Sequence, residues 1–208
     1  KLRIIHPWCG RDELFALPTV PLGRERPLRL VAYGRFAHEK NFTSLIEAVS
    51  LFVTGDVELQ LIGDGPEMVA MRDAAGDHPH IHFRGRIDNP AEFLGDCHAV
   101  IVPSRHEAFG LVATEARMAA RPILVADVDG LPEQVGEAGL ARPMHTADDI
   151  AAAINEFAKL PLHGMGHAGR RRVMGLPGAI LAGWKDVFTD AGSETAGNVI
   201  SLPFRKAA

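Results

Sequence analysis

Two carboxylates, Glu107 and Glu115, stand in a Glu-x7-Glu spacing within Pro103-Ser104-Arg105-His106-Glu107-Ala108-Phe109-Gly110-Leu111-Val112-Ala113-Thr114-Glu115. An apolar run enters this segment and a helical pattern leaves it. Gly110, at the expected helix start, permits close backbone approach. The amides of Gly110, Leu111 and Val112 should be free there, and such amides suit an anion. A rise of 1.5 Å per residue puts Gly110 and Glu115 roughly 7–8 Å apart along the axis, a length comparable to a sugar, diphosphate and ribose. Ionised carboxylates only accept hydrogen bonds, so they suit hydroxyl-rich groups at both ends. The residues alone leave two other readings open. Both could be surface carboxylates, one of them stabilising the helix dipole. They could also be the acid and nucleophile of a glycosidase, which would leave the helix-start anion features idle.

A second candidate lies at Gly34-Arg35-Phe36-Ala37-His38-Glu39-Lys40-Asn41, where a strand pattern gives way to a helical one. Arg35 offers a planar fork of donors and Lys40 a mobile point charge. Two cations at a helix N-terminus suit a diphosphate. Taken alone, they read equally as a solvated surface pair.

The elements that must hold these residues alternate. Strands are expected at Leu28–Tyr33, Val57–Ile62, His80–Phe83, Ala99–Val102, Pro122–Ala126 and Leu140–Arg142. Helices are expected at Asn41–Phe52, Glu67–Ala75, Pro90–Leu94, Gly110–Ala120, Leu131–Val135, Thr146–Leu160 and Ala179–Phe188. Repeated β–α units of this size predict an α/β fold, a parallel sheet flanked by helices. Ligands bind such sheets at the carboxyl ends of the strands, which is where both candidate segments fall.

Composition narrows the field. The chain has 208 residues, 47% of them hydrophobic, enough for one sizeable core. A net charge of −4 gives no reason to expect nucleic acid as a partner. Two cysteines, Cys9 and Cys97, make no disulfide framework, and a reducing cytoplasm is expected. Residues 1–27, rich in Pro and Gly, read as an irregular connector. The start at Lys1 without Met reads as entry from something upstream, so an N-terminal portion is expected ahead of it. Residues 190–208 read as a flexible tail.

The ordered set Gly34-Arg35 with Lys40, Ile62-Gly63-Asp64-Gly65-Pro66, Phe83-Arg84-Gly85, Pro103 to Leu111 with Glu115-Ala116, and Gly130-Leu131-Pro132-Glu133 resembles the C-terminal donor-binding domain of the GT-B glycosyltransferases of family 4, also called group 1. The resemblance covers roughly residues 1 to 189. It implies a Rossmann-like domain over 28–189 and, by the link Ile5 to Asp12, an acceptor-binding domain upstream. It implies retaining, metal-independent transfer of a hexosyl group from a nucleotide-sugar (UDP-, GDP- or ADP-linked), with no cofactor. The acceptor would be a glycan, a lipid or a small molecule. Arg35 and Lys40 would hold the diphosphate and stabilise the leaving nucleotide. Glu107 would bind hydroxyls of the transferred sugar. Phe109, Gly110, Leu111 and Val112 would contact sugar and phosphate through their amides, with Gly34 beside them. Glu115 would bind the ribose, and Arg86 and Ile87 would flank the base. Acceptor contacts, any catalytic base and any contact with the inner face of a membrane would lie in the upstream half. This piece by itself would bind nucleoside diphosphate weakly and transfer nothing. Two positions depart from the family pattern: Ala108, where Gly is usual, and Cys9-Gly10-Arg11-Asp12, where Asn-Gly-Val-Asp is commoner.

Other signals carry less. Asp127-Val128-Asp129 could hold a metal, but oxygen-only sites need more ligands. Gly164-Met165-Gly166-His167-Ala168-Gly169 matches a dinucleotide fingerprint but follows no strand. His78, His80 and His82 alternate and would share one strand face, without a Cys or carboxylate at metal-site spacing. A non-catalytic sugar-nucleotide-binding module and a sugar-nucleotide epimerase are the competing functions. A module would have no need to keep Arg35, Lys40, Glu107 and Glu115 together, and the Glu-x7-Glu context weighs against an epimerase.

Overall fold

The structure, a computed structural model, describes residues 3–21 and 26–193. Six strands are present among them: β1 Leu28–Tyr33, β2 Val57–Ile62, β3 Ile81–Gly85, β4 Ala99–Val102, β5 Ile123–Ala126 and β6 Gly139–Arg142. They pair in parallel in the order β3-β2-β1-β4-β5-β6. Eight α-helices accompany them: α1 Phe42–Ser50, α2 Met68–Ala75, α3 Ala91–Leu94, α4 Leu111–Met118, α5 Leu131–Val135, α6 Ala147–Phe157, α7 Leu162–Val173 and α8 Leu176–Ser193. The architecture is the Rossmann-like α/β sheet expected.

Every residue of β4 and β5 is buried. A strand covered on both faces must be apolar throughout, and Ala99-Val100-Ile101-Val102 and Ile123-Leu124-Val125-Ala126 are. The helices lay one stripe against the sheet. On α1 the stripe is Phe42, Leu45, Ile46 and Val49. Helix α6 begins with a capping box: Asp149 N–H donates to Thr146 Oγ1 at 3.1 Å, and Thr146 N–H donates to Asp149 Oδ2 at 3.0 Å.

The strand order matters most between β1 and β4. From β1 the chain steps outward to β2 and β3, then returns to β4 on the other side. The connections therefore diverge above β1 and β4 and leave a crevice there. The turn carrying Arg35 and Lys40 leaves β1, and the loop carrying Glu107 leaves β4.

Four expectations are corrected. The Gly-rich run Gly164–Gly169 lies inside α7, a helix the sequence pattern did not reveal. Two of its glycines serve packing: a Cβ at Gly166 would stand 2.2 Å from the Ala120 carbonyl oxygen, and one at Gly169 3.0 Å from Ala138 Cβ. Helix propensity counts against glycine, but close approach to the end of α4 requires it. The stretch 1–27 is not all irregular. Asp12–Ala16 forms a 3-10 helix, and Leu14 and Val20 are buried. The buried Arg121 donates to Pro18 O at 2.8 Å and Arg170 to Leu17 O at 2.7 Å, tying this stretch to the body. The three histidines share no strand face. His78 and His80 precede β3; His80 is buried beside Val49 O, while His82 pairs with Glu58 at 3.4 Å. Finally, α8 runs through Ser193, four residues into the stretch expected to be loose; 194–208 lie outside the described residues. Among the described residues, no helix is long and apolar enough to cross a membrane.

Candidate functional site

The turn after β1 is shaped by the glycines after β2. A Cβ at Gly63 would stand 1.9 Å from Gly34 O, and one at Gly65 would stand 2.4 Å from Phe36 O. The 62–65 loop can therefore press against the turn after β1. Phe36 N–H donates to Asp64 O at 2.8 Å, and Glu67 N–H to Phe36 O at 3.0 Å. The Gly63-Asp64-Gly65 motif is thus a brace for the turn that carries the cations.

That turn ends in a 3-10 helix, His38–Lys40, and Asn41 takes the left-handed conformation at φ 57°. This aims Lys40 across the crevice, where its Nζ lies 2.5 Å from Glu107 Oε2. Both side chains are mostly buried. A second link ties the two loops, since Arg105 N–H donates to Glu39 O at 2.8 Å. Arg35 is not drawn into the same cluster. Its guanidinium is 70% exposed and pairs with Glu39.

Glu107 is held from the β5 side too. Its N–H donates to Asp129 Oδ2 at 2.8 Å, and its carbonyl accepts from Gly130 N–H at 3.3 Å. Phe109 O accepts from Gln134 Nε2 at 2.9 Å, and the Phe109 ring stacks on His6 at 5.2 Å. Gly110 then takes φ 83° as N-cap of α4 without a side-chain cap. The first intrahelical bonds are made by Ala113 and Thr114, both to Gly110 O. The amides of Leu111 and Val112 precede those bonds, as an anion-binding helix start requires.

Glu115 sits one turn further along. Tyr33, at the end of β1, donates its hydroxyl to Glu115 Oε2 at 2.7 Å and approaches Val112 O at 3.3 Å. Burial pushes the Glu115 carboxyl above its usual range; the Tyr33 hydrogen bond and the charge of Arg11 oppose that rise. Tyr33 is pushed well above its usual value, first by its own burial and then by the Glu115 charge. Cys9, in the linker stretch, has its thiol raised by burial and lies 3.4 Å from the Met118 sulfur.

The structure thus brings together Lys40, Glu107, Gly110, Leu111, Val112 and Glu115, with Gly34 and Phe109 in the adjoining turns. Arg86 stands apart, exposed and bonded to Asp88 at 2.8 Å, while Ile87 is partly buried against the core. Tyr33 and Gln134 escaped the sequence reading, which took Asp129 only as a discounted metal candidate and Arg11 only as part of the link. Tyr33 had a signal, being the single tyrosine of the chain and the last residue of a strand. Asp129 had one in its Asp-x-Asp spacing. Arg11 and Gln134 had none, since only folding brings them to the crevice. Among the described residues, no group of three or more His, Cys, Asp or Glu could hold a metal.

Comparison with known proteins agrees with this fold. The family model described as "Glycosyl transferases group 1" matches residues 27–159. The N-acetyl-alpha-D-glucosaminyl L-malate synthase of Bacillus anthracis is 30% identical over 69% of this chain and 40% of its own length. The solved sucrose-phosphate synthase of Thermosynechococcus elongatus superimposes with a TM-score of 0.75 at 25% identity, over 91% of this chain and 52% of that one. Anabaena HepE in complex with UDP-glucose shares the fold at a TM-score of 0.67 and 18% identity, over 80% of this chain and 49% of that one. The chain therefore spans about half or less of the length of these proteins. By the family match and the fold together, it belongs to the group 1 glycosyltransferases of the GT-B type.

Proposed function

We propose that this chain is the donor-binding half of a retaining glycosyltransferase, which transfers a hexosyl group from a nucleotide-sugar to an acceptor held by an upstream domain. The observation that carries this is the pair of carboxylates placed on either side of the α4 start, above the β1–β4 crevice. Glu107 is held by Lys40 at 2.5 Å and Glu115 by Tyr33 at 2.7 Å. In this reading the sugar lies at Glu107, the diphosphate over the amides of Leu111 and Val112, and the ribose at Glu115. That HepE is solved with UDP-glucose supports a sugar-nucleotide as the ligand class.

Breaking the glycosyl–phosphate bond leaves negative charge on the departing diphosphate. Lys40 and the helix-start amides are fixed where that charge grows, so they stabilise the transition state without a metal ion. Arg35 contributes by releasing Glu39 and swinging its exposed guanidinium to the phosphates. The test is Arg35→Ala combined with Lys40→Ala in the complete protein. We expect turnover of the nucleotide-sugar to fall by about 10²-fold or more. Unchanged turnover would sink the assignment. A thermal-shift screen with UDP, GDP and ADP sugars identifies the donor, because a ligand that binds only the folded state raises its midpoint.

A further inference from the structure

We infer that Asp129 is a positioning residue for the transferred sugar, acting through the Glu107 backbone. The inference rests on the donor-site reading above. Asp129 belongs to the loop after β5 and Glu107 to the loop after β4. Asp129 Oδ2 accepts from Glu107 N–H at 2.8 Å, and the next residue, Gly130, donates to Glu107 O at 3.3 Å. Consecutive residues of one loop thus hold both backbone polar groups of Glu107. The loops can approach this closely because residue 130 is glycine: a Cβ there would stand 2.3 Å from Ala108 O.

The backbone of Asp129 adds a second argument. It sits at φ 46°, in the left-handed region. Glycine takes that conformation without strain, and Asp does so only at a cost. Glycine would serve the turn alone without that cost. What Asp supplies beyond the turn is its carboxylate, and a carboxylate accepting from an amide makes a charge-assisted bond. His106 Nδ1 is the other polar neighbour, 3.8 Å from the same oxygen and at the exposed rim. With the Glu107 backbone clamped by this loop and Oε2 taken by Lys40, Oε1 is left to accept from a sugar hydroxyl. Asp129 therefore bears on the sugar and not on the nucleotide, whose ribose end is held separately by Glu115 on α4.

The experiment compares two ligands on the complete protein by calorimetry: the nucleotide-sugar selected from UDP, GDP and ADP sugars, and its parent nucleoside diphosphate. Asp129→Gly keeps the turn and removes the carboxylate, while Asp129→Asn keeps an acceptor that tolerates the left-handed backbone. We expect Asp129→Gly to weaken the nucleotide-sugar about tenfold, the worth of a hydrogen bond to a charged group. Affinity for the nucleoside diphosphate should stay within about twofold, as for an independent site. Asp129→Asn should recover most of the lost affinity. Equal weakening of both ligands by Asp129→Gly would reduce Asp129 to structural support and overturn the inference, and so would no weakening of either. A wild-type protein that binds none of the nucleoside diphosphates would overturn the donor-site reading itself, and the inference with it.

Discussion

Tyr33 closes β1 and donates a hydrogen bond from its hydroxyl to Glu115, 2.7 Å away on α4, so one hydrogen bond spans the crevice between the first and fourth strands. Without that donor, Glu115 would be a partly buried carboxylate with less to offset its desolvation. Tyr33→Phe should cost about 1–2 kcal/mol, the penalty for a charged acceptor losing its donor. The shift of the urea midpoint measures it. A midpoint equal to wild type would mean that water replaces the hydroxyl fully.

Glu115 itself should trade stability for binding. Burial raises its carboxyl in the fold. A raised acid favours the folded state below its unfolded value, and that contribution is lost as pH rises through the folded value. At neutral pH the ionised carboxylate therefore weighs against folding, and Glu115→Gln relieves it. Thermal melts should show Glu115→Gln above wild type at about pH 7, with the gap closing toward about pH 3. The same variant should bind nucleoside diphosphate more weakly, since Glu115 is the proposed ribose partner.

The Lys40–Glu107 pair predicts non-additivity. Lys40→Met leaves Glu107 unpaired and should cost about 1–2 kcal/mol, less than for a fully buried pair because both side chains retain some exposure. Adding Glu107→Gln should restore part of that loss, since the double variant has no unpaired charge. Denaturant midpoints for the cycle test this. Strict additivity would show the pair contributes nothing to the folded state.

Arg121 anchors the 12–20 stretch. It is 1% exposed and donates to three carbonyls: Leu94 O at 2.5 Å, Pro18 O at 2.8 Å and Gly95 O at 3.0 Å. Burial lowers its pKa, opposed by Cys97 and the charge of Asp96, and the three carbonyls accept its N–H hydrogen bonds. Arg121→Met should destabilise by about 2–4 kcal/mol, as several acceptors lose their donor together. Limited proteolysis should then cut more readily between Leu17 and Val20.

Periodicity in the sequence was enough to find all six strands and most helices. Buried runs such as Ala99–Val102 and stripes such as Phe42, Leu45, Ile46 and Val49 follow from local chemistry, because one face or both must leave water. Helix α7 was hidden because Gly164, Gly166 and Gly169 read locally as a loop. Glycine stands at 166 in the helix because a Cβ there would meet the Ala120 backbone, a contact only folding makes. Periodicity also misplaced His78 and His80, which alternate with His82 but lie in the turn before β3.

The sequence alone marked the groups proposed to bind a sugar-nucleotide: Lys40, Glu107, Glu115 and the amides after Gly110 were legible from residue type and spacing. The tertiary structure alone decided what holds them. Lys40 meets Glu107 across 67 positions, Tyr33 meets Glu115 across 82, and Asp129 meets the Glu107 amide across 22. No local pattern encodes such contacts, because they arise where strand order brings separate loops to one crevice. Arg35, a natural partner of Lys40 in sequence, is not drawn into that crevice and pairs with Glu39, four residues on, at the surface.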